Sequence, residues 1–393
     1  MPVVLVVAGA LVALPGTLAA VHLGVLALAS WFYREPRPSG PVPPVRFLVL
    51  IPAHNEERVI GATLAALAAA IRPGDRVLVV ADRCTDATAQ LARSAGAEVL
   101  ERGPGQPPGR AAARQDGLDA AVREDDWDAV LFVDADSVVS PGFLDACERA
   151  LAATGAAALQ ARSEAALGRG LIARSYLAAF ALQGLTIPRG RDRLGLSVRL
   201  RGTGMVLRRD ALKLARFRAP ASEDLFYSLD LCLEGVLPRH VESARLRSAT
   251  VGSWRAAGTQ RTRYEAGRMA AAREFLGPLL RRRSPAALEA AVHLATPPLA
   301  VAVGSLLAGL GMVTLAGLTG LADAWPVAIA LGAALGLLAV TVLTGLVQSR
   351  AGLRTWLALA AAPWYVLFKL AVSGRALAAL RRSRTDFGAT PRD

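Results

Sequence analysis

Cysteine is scarce: the chain of 393 residues holds three, Cys84, Cys147 and Cys232. An odd count without C-x-x-C spacing excludes a disulfide scaffold and fits free thiols in a reducing compartment. Aromatic residues are also few, at 5%. There is no aromatic-and-basic RNA signature, no zinc-finger spacing and no DNA-reading helix. The net charge of +13, almost all of it arginine, therefore points away from nucleic acid and toward anionic lipid or a phosphorylated substrate. Charge itself is missing from the two ends. Residues 3–33 carry no charged side chain, and long uncharged runs return from Leu299 onward.

These absences divide the chain. With 53% of residues hydrophobic and 20% charged, it reads as membrane segments flanking a soluble domain. Val3–Phe32 is long enough to span a bilayer, with Pro15 and Gly16 as a kink. It lacks a charged n-region and a small-x-small cleavage site, so residues 1–33 read as an anchor. Trp31 and Tyr33 suit an interface, and Arg34, Arg37 and Arg46 place this end in the cytoplasm by the positive-inside rule. His22 reads as a helix-interior contact. Residues 34–45, with five prolines, read as a stiff linker. Leu299–Leu321 and Trp325–Val347 read as two further spans within 286–349, joined by an outer turn at Asp323. Trp356–Leu380 is apolar but interrupted by Pro363, Lys369 and Arg375. Spanning would leave the basic tail outside, so 350–393 reads as an interfacial or re-entrant segment and tail, with a fourth span as the alternative.

Between the membrane segments, Arg46–Ile51, Arg76–Val80, Val99–Leu100 and the run from Ala129 to Val133 read as buried strands separated by helices. The alternation predicts an α/β domain over 46–258 with a parallel, doubly wound sheet. Ligands bind such sheets beyond the carboxyl ends of the strands. Glu56, Asp82, Asp134 and Asp136 stand at those ends. The last two offer hard oxygen ligands for Mg²⁺ or Mn²⁺, which can bridge to phosphate. The plain alternative is an aspartate cap for a helix near Pro141. Farther on, strands are expected near Ala157–Gln160 and Gly202–Leu207, an apolar helix over 170–186, an arginine-rich loop over 187–201, a helix from Ser222, and turns around Val241 and Ala249. Thr259 reads as the cap of a helix from Gln260 to about Leu276. This amphipathic segment, 259–285, would lie on an anionic membrane surface, pack on the domain, or both.

Six pieces then arrive in order: Pro52-Ala-His-Asn-Glu-Glu57, Val80-Ala-Asp-Arg-Cys-Thr-Asp-Ala-Thr88, Asp134-Ala-Asp136, Gly202-Thr-Gly-Met205, Ser222-Glu-Asp224 and Gln260-Arg-Thr-Arg-Tyr264. Together they resemble the membrane-bound family 2 glycosyltransferases, of the cellulose and hyaluronan synthase-like superfamily. Pro363-Trp-Tyr-Val-Leu-Phe-Lys-Leu370 is similar to a segment near the C-terminus of such enzymes. The resemblance covers roughly residues 46–275 and the membrane layout. It implies a GT-A (Rossmann-like) nucleotide-sugar domain and inverting transfer from a nucleotide diphosphate sugar to a lipid or glycan acceptor near the membrane. The uridine nucleotide is a family habit rather than a reading of any residue. It also implies an integral protein of the bacterial plasma membrane, in contact with membrane lipids, with a cytoplasmic catalytic domain.

Under that resemblance Glu56 and Asp82 would hold the base and ribose, with helix capping and first-turn charge as the structural alternative. Arg110, where the family often has lysine, would pair with the diphosphate. Asp134 and Asp136 would engage the metal and nucleotide. Asp224 would be the general base, supported by Glu223. Gln260, Arg261 and Arg263 would close over the diphosphate. Gly202, Thr203, Gly204 and Tyr264 would border the acceptor, although a tight turn explains the glycines equally well. Tyr264 stands where processive enzymes usually carry tryptophan, which weakens a polysaccharide synthase reading. The alternatives are that synthase, a nucleotidyltransferase-like enzyme, and a membrane scaffold or transporter with a degenerate nucleotide-binding domain.

Overall fold

A computed structural model describes residues 1–122, 126–166, 178–218, 222–249 and 254–357, with isolated positions from 359 to 374. The side chains of 254–257, 259 and 261 lie outside the described set. The chain opens with helix α1 (Pro2–Ser30). Four strands follow as expected: β1 (Phe47–Ala53), β2 (Arg76–Asp82), β3 (Glu98–Arg102) and β4 (Ala129–Phe132). They are parallel and lie in the order β3-β2-β1-β4. Parallel neighbours need crossovers, and helices α2 (Ile60–Ala68), α3 (Thr88–Ser94) and α4 (Arg110–Ala121) supply them. Alternation along β1 fills both faces. Phe47, Val49 and Ile51 pack with Ile60 and Leu64 of α2, and Leu48 and Leu50 pack with Leu118 of α4.

Beyond β4 the sheet departs from the parallel expectation. The chain continues through β5 (Ser137–Val139), α5 (Phe143–Thr154) and β6 (Ala158–Ala165). A π-helical turn, Leu182–Thr186, then leads into α6 (Ile187–Arg193), followed by β7 (Met205–Arg208). β7 runs antiparallel to β4 and to β6, so the sheet is mixed. This reversal brings the loop leading into β7 to the same edge as the carboxyl end of β4. β8 (Arg239–Ser248) pairs with β6 and, at the sheet edge, with β5. The sequence pointed to turns there because arginines alternate with the apolar residues: Ala244 and Leu246 are buried while Arg245 and Arg247 are exposed.

The expected arginine-rich loop at 187–201 is helical to Arg193. Three of its charges are paired: Arg191 with Glu289, Arg189 with Glu242, and Asp192 with Arg239. Gly190 lets α6 touch α1, since a Cβ there would collide with the Leu26 carbonyl. The first part of the expected helix over 170–186 lies outside the described residues.

Helix α7 (Glu223–Leu233) packs under α8 (Trp254–Arg282). α8 begins before Thr259, which is therefore inside the helix and not its cap. Ala271, Phe275 and Leu279 of α8 are buried against Leu225, Phe226 and Leu229, so this face is covered by protein. Helix α9 (Pro285–Ala295) was not anticipated, although Ser284 caps it by accepting from Ala287 N at 3.2 Å and Pro285 opens it. Helices α10 (Leu299–Leu318) and α11 (Ala324–Gln348) complete the set, and with α1 they are long and apolar enough to cross a membrane. α1 and α10 approach closely through small residues. A Cβ on Gly16 would lie 2.5 Å from the Ala302 carbonyl. His22 does more than fill helix interior: Nε2 lies 2.8 Å from Glu289, which also accepts from Arg191. The segment 356–380 falls almost wholly outside the described residues.

Candidate functional site

The carboxyl ends of β1 and β2 are tied together. Asn55, with φ of +55°, turns its side chain onto Thr85, whose N–H it accepts at 2.8 Å. Glu56 N donates to Thr88 Oγ1 at 2.8 Å, and Glu57 N to Asp86 at 3.1 Å. Glu56 itself is half-buried at this rim.

Asp82 is differently occupied from the expectation. It is buried, and Oδ1 accepts from Arg102 at 2.6 Å and from Arg83 at 3.2 Å. Oδ2 accepts from Gly109 N at 3.0 Å. Arg102, also buried, reaches Asp116 and the Pro107 carbonyl as well. Both Asp82 oxygens therefore tie the end of β2 to Arg102 and to the loop 103–109.

Asp134 and Asp136 lie just past β4, on a turn closed by Ser137 N to the Asp134 carbonyl at 3.0 Å. Thr63 of α2 grips the intervening Ala135 carbonyl at 2.8 Å. Asp134 N donates to Thr203 Oγ1 at 3.1 Å, and Thr203 Oγ1 donates on to Ser137. The Asp134 carboxylate accepts from Arg114 at 3.1 Å and from Arg110 at 3.4 Å. Asp134 in turn pushes the Arg110 guanidinium pKa up, so its charge is secure. Asp136 is half-buried, and its Oδ1 accepts from Ser137 Oγ at 3.4 Å.

Arg114 is the residue the sequence reading missed. Its side chain has no solvent exposure, and it lies one turn after Arg110 on the same face of α4. One nitrogen donates to Glu223 at 2.8 Å, and the other to Asp134 and to the Gly202 carbonyl at 2.6 Å. The guanidinium also stands over the rings of Phe132 and Phe217, at 5.8 and 5.7 Å. The available signal was the i, i+4 pair of arginines opening a helix beside the aspartates.

Glu223 and Asp224 open α7 after Ser222, whose φ is +60°. Both are buried. Burial raises the Asp224 pKa, the neighbouring Glu223 charge adds to this, and Arg199 and Arg114 oppose it. Arg199, also missed from sequence, touches His293 at 3.5 Å. Gly202, with φ of +81°, fits beside this group: a Cβ there would lie 3.3 Å from Arg114 Nη2 and 3.5 Å from Asp224 Oδ2. Gly204 serves packing instead, since a Cβ would collide with Leu246.

Gln260, Arg263 and Tyr264 are half-buried on α8. The side chain of Arg261 lies outside the described residues. The structure thus gathers Arg110, Arg114, Asp134, Gly202, Thr203, Glu223 and Asp224 at one edge of the sheet. It gives Asp82 and Gly204 structural occupations.

A model of the family described as Glycosyltransferase like family 2 matches residues 43–267, more than half of the chain. The chain belongs to this family. It is a glycosyltransferase with a GT-A fold. Its structure is similar to a mannosyltransferase from Pyrobaculum calidifontis in complex with GDP-Man and Mn²⁺. The identity is 16%, the match covers 86% of this chain and 99% of that one, and the TM-score is 0.51. It is also similar to S. aureus TarS at 19% identity and TM-score 0.42, covering 62% of this chain but 41% of TarS, so it spans well under half of that protein. Glucosyl-3-phosphoglycerate synthase from Mycobacterium tuberculosis, in complex with Mn²⁺, UDP and phosphoglyceric acid, is similar at 23% identity and TM-score 0.41, over 61% and 78% of the two chains. At these identities the likeness is one of fold. No curated protein matches.

Proposed function

We propose that this family 2 glycosyltransferase moves a sugar, with inversion, from a nucleotide diphosphate sugar to a hydroxyl of a lipid or membrane-proximal acceptor. The observation that carries the reading is Asp224. It is a buried carboxylate with a raised pKa, next to a residue tied through Arg114 to Asp134 at the donor side. A raised pKa makes a carboxylate a stronger base, as proton abstraction requires. Asp224 takes the proton of the acceptor hydroxyl as that oxygen bonds to the anomeric carbon. The bond from that carbon to the diphosphate breaks, and the nucleotide diphosphate leaves. Arg110, Gln260 and Arg263 offer donors to the departing oxygens. Glu56 is the remaining carboxylate for the nucleoside, and Tyr264 borders the acceptor.

The residues fit a shared Mg²⁺ or Mn²⁺. No group of three His, Cys, Asp or Glu among the described residues forms a cage of protein ligands. Asp136, with Asp134 held beside it by two arginines, suits an ion whose other ligands are phosphate oxygens and water. Such an ion, when bound, neutralises charge on the diphosphate.

The three apolar helices and the arginines following α1 support an integral protein of the bacterial plasma membrane with its domain in the cytoplasm. The test is binding of a panel of nucleotide diphosphate sugars to the detergent-solubilised chain, with and without Mn²⁺ or Mg²⁺. One donor binding tightly only with metal is the expected result. A folded protein that binds none overturns the reading.

A further inference from the structure

A cavity among the described residues lies away from the glycosyl-transfer site. It has a volume of about 610 Å³ and is bounded by residues 34–38 after α1, by α5 and by Ser243 of β8. The wall next to the membrane anchor is fixed. Tyr33 donates from its hydroxyl to the His240 carbonyl at 3.1 Å, and Glu35 accepts from Ser243 N and Oγ at 3.1 and 3.0 Å. The five-proline linker is thus stitched to β8 rather than free.

Three arginines line the cavity: Arg34, Arg37 and Arg149. All three are exposed, and none of their side chains pairs with another described residue. The one carboxylate present, Glu35, is engaged by Ser243. Other arginines of this domain are paired, among them Arg46 with Asp128, Arg72 with Asp75 and Arg218 with Asp230. Three unpaired guanidinium groups around a space of headgroup size present forked donors suited to phosphate oxygens.

Position selects the source of that phosphate. α1 ends at Ser30, and Trp31 and Phe32 follow with 55% and 64% exposure, as expected of side chains at a membrane interface. The cavity begins two residues later, at the end of α1 that those side chains mark. We propose that it binds the phosphate of an anionic phospholipid and so seats the catalytic domain against the bilayer beside its N-terminal anchor. This site is separate from the sugar-transfer chemistry and does not depend on the identity of the donor.

The test uses the full chain in detergent, with phosphatidylglycerol or phosphatidylcholine titrated in and bound lipid counted by native mass spectrometry. Wild type is expected to retain phosphatidylglycerol over phosphatidylcholine. R34Q/R37Q/R149Q should weaken phosphatidylglycerol binding on the order of 100-fold, at about fivefold per basic residue. R34K/R37K/R149K should keep most of it, and R208Q/K213Q/R216Q should leave it unchanged. If thermal unfolding shows the triple variant to be unstable, R149Q alone should still cost about fivefold. Equal lipid retention by wild type and the Gln variants overturns the proposal. So does displacement of the lipid by excess inorganic phosphate, which would make this a site for the free ion.

Discussion

Arg114 donates to Glu223 across 2.8 Å from a side chain with no solvent exposure, and the same guanidinium holds Asp134 at 3.1 Å. One cation therefore fixes the spacing between the aspartates past β4 and the start of α7, where Asp224 stands. The Gly202 carbonyl, 2.6 Å away, adds the loop before β7 to the same hub. The proposed donor and acceptor sides therefore share one cation.

Replacing Arg114 with Met should therefore act on both. It leaves Glu223 without its counter-charge and Asp134 with Arg110 in place of two arginines, and breaking a buried pair costs about 3–5 kcal/mol. R114K keeps the charge but loses the fork, so its loss should be smaller. E223Q should partly offset R114M, with a coupling of roughly 0.5–3 kcal/mol in thermal unfolding of the solubilised protein. Strictly additive losses would count against the hub.

Asp224 supplies a pH signature. As the proposed base it would work only when ionised, and its folded pKa is raised by burial and by Glu223. Turnover should fall as pH drops, with an acid limb above the ordinary carboxylate range. Stability runs the other way. A buried acid with a raised pKa favours the protonated fold, so its burial destabilises the protein progressively as pH rises from the unfolded pKa through the folded one. Asp224→Asn should then cut kcat by about 10²–10⁴, leave donor affinity nearly unchanged, and not lower the melting temperature at neutral pH. An equal loss of donor binding would remove Asp224 from the role of base.

The metal prediction separates the two aspartates. Asp134 is engaged by two arginines, whereas Asp136 accepts from Ser137 Oγ at 3.4 Å. Asp136→Ala should abolish the dependence of donor binding on Mn²⁺ while the fold is retained. Asp134→Ala should also lower stability, because Arg114 is left buried with less compensation. An Asp136→Ala protein with an unchanged Mn²⁺ titration would reassign the ion.

Much of the site was legible because it sits at strand ends, where short apolar runs break into charge. The first four strands and the three apolar spans show in the same way. What escaped has a physical pattern. β8 alternates arginine with small apolar residues, so no run appears. α6 looks like a loop because its arginines are neutralised by Glu242 and Glu289, distant in sequence. Arg114 looks like a solvated helix charge until the fold buries it under Phe217. Asp82 shows the converse: a residue in a family-like motif whose oxygens are taken by Arg102 and Gly109. Partners far along the chain decided each case, and local pattern does not encode them.

The two glycines before β7 offer the last test, because the same substitution should fail for different reasons. Both have positive φ, +81° at Gly202 and +67° at Gly204, so alanine carries backbone strain of roughly 1–2 kcal/mol at either. At Gly204 the new Cβ also meets Leu246 and Ala161 inside the core, adding an overpacking cost of about 1–3 kcal/mol. G204A should therefore show mainly as a lowered melting temperature. At Gly202 the Cβ points between Arg114 and Asp224, where it displaces the groups that set the base. G202A should melt closer to wild type than G204A yet lose more turnover. Measuring melting temperature and kcat for both variants decides this, and a reversal of that order would place Gly204 at the acceptor and Gly202 in the packing.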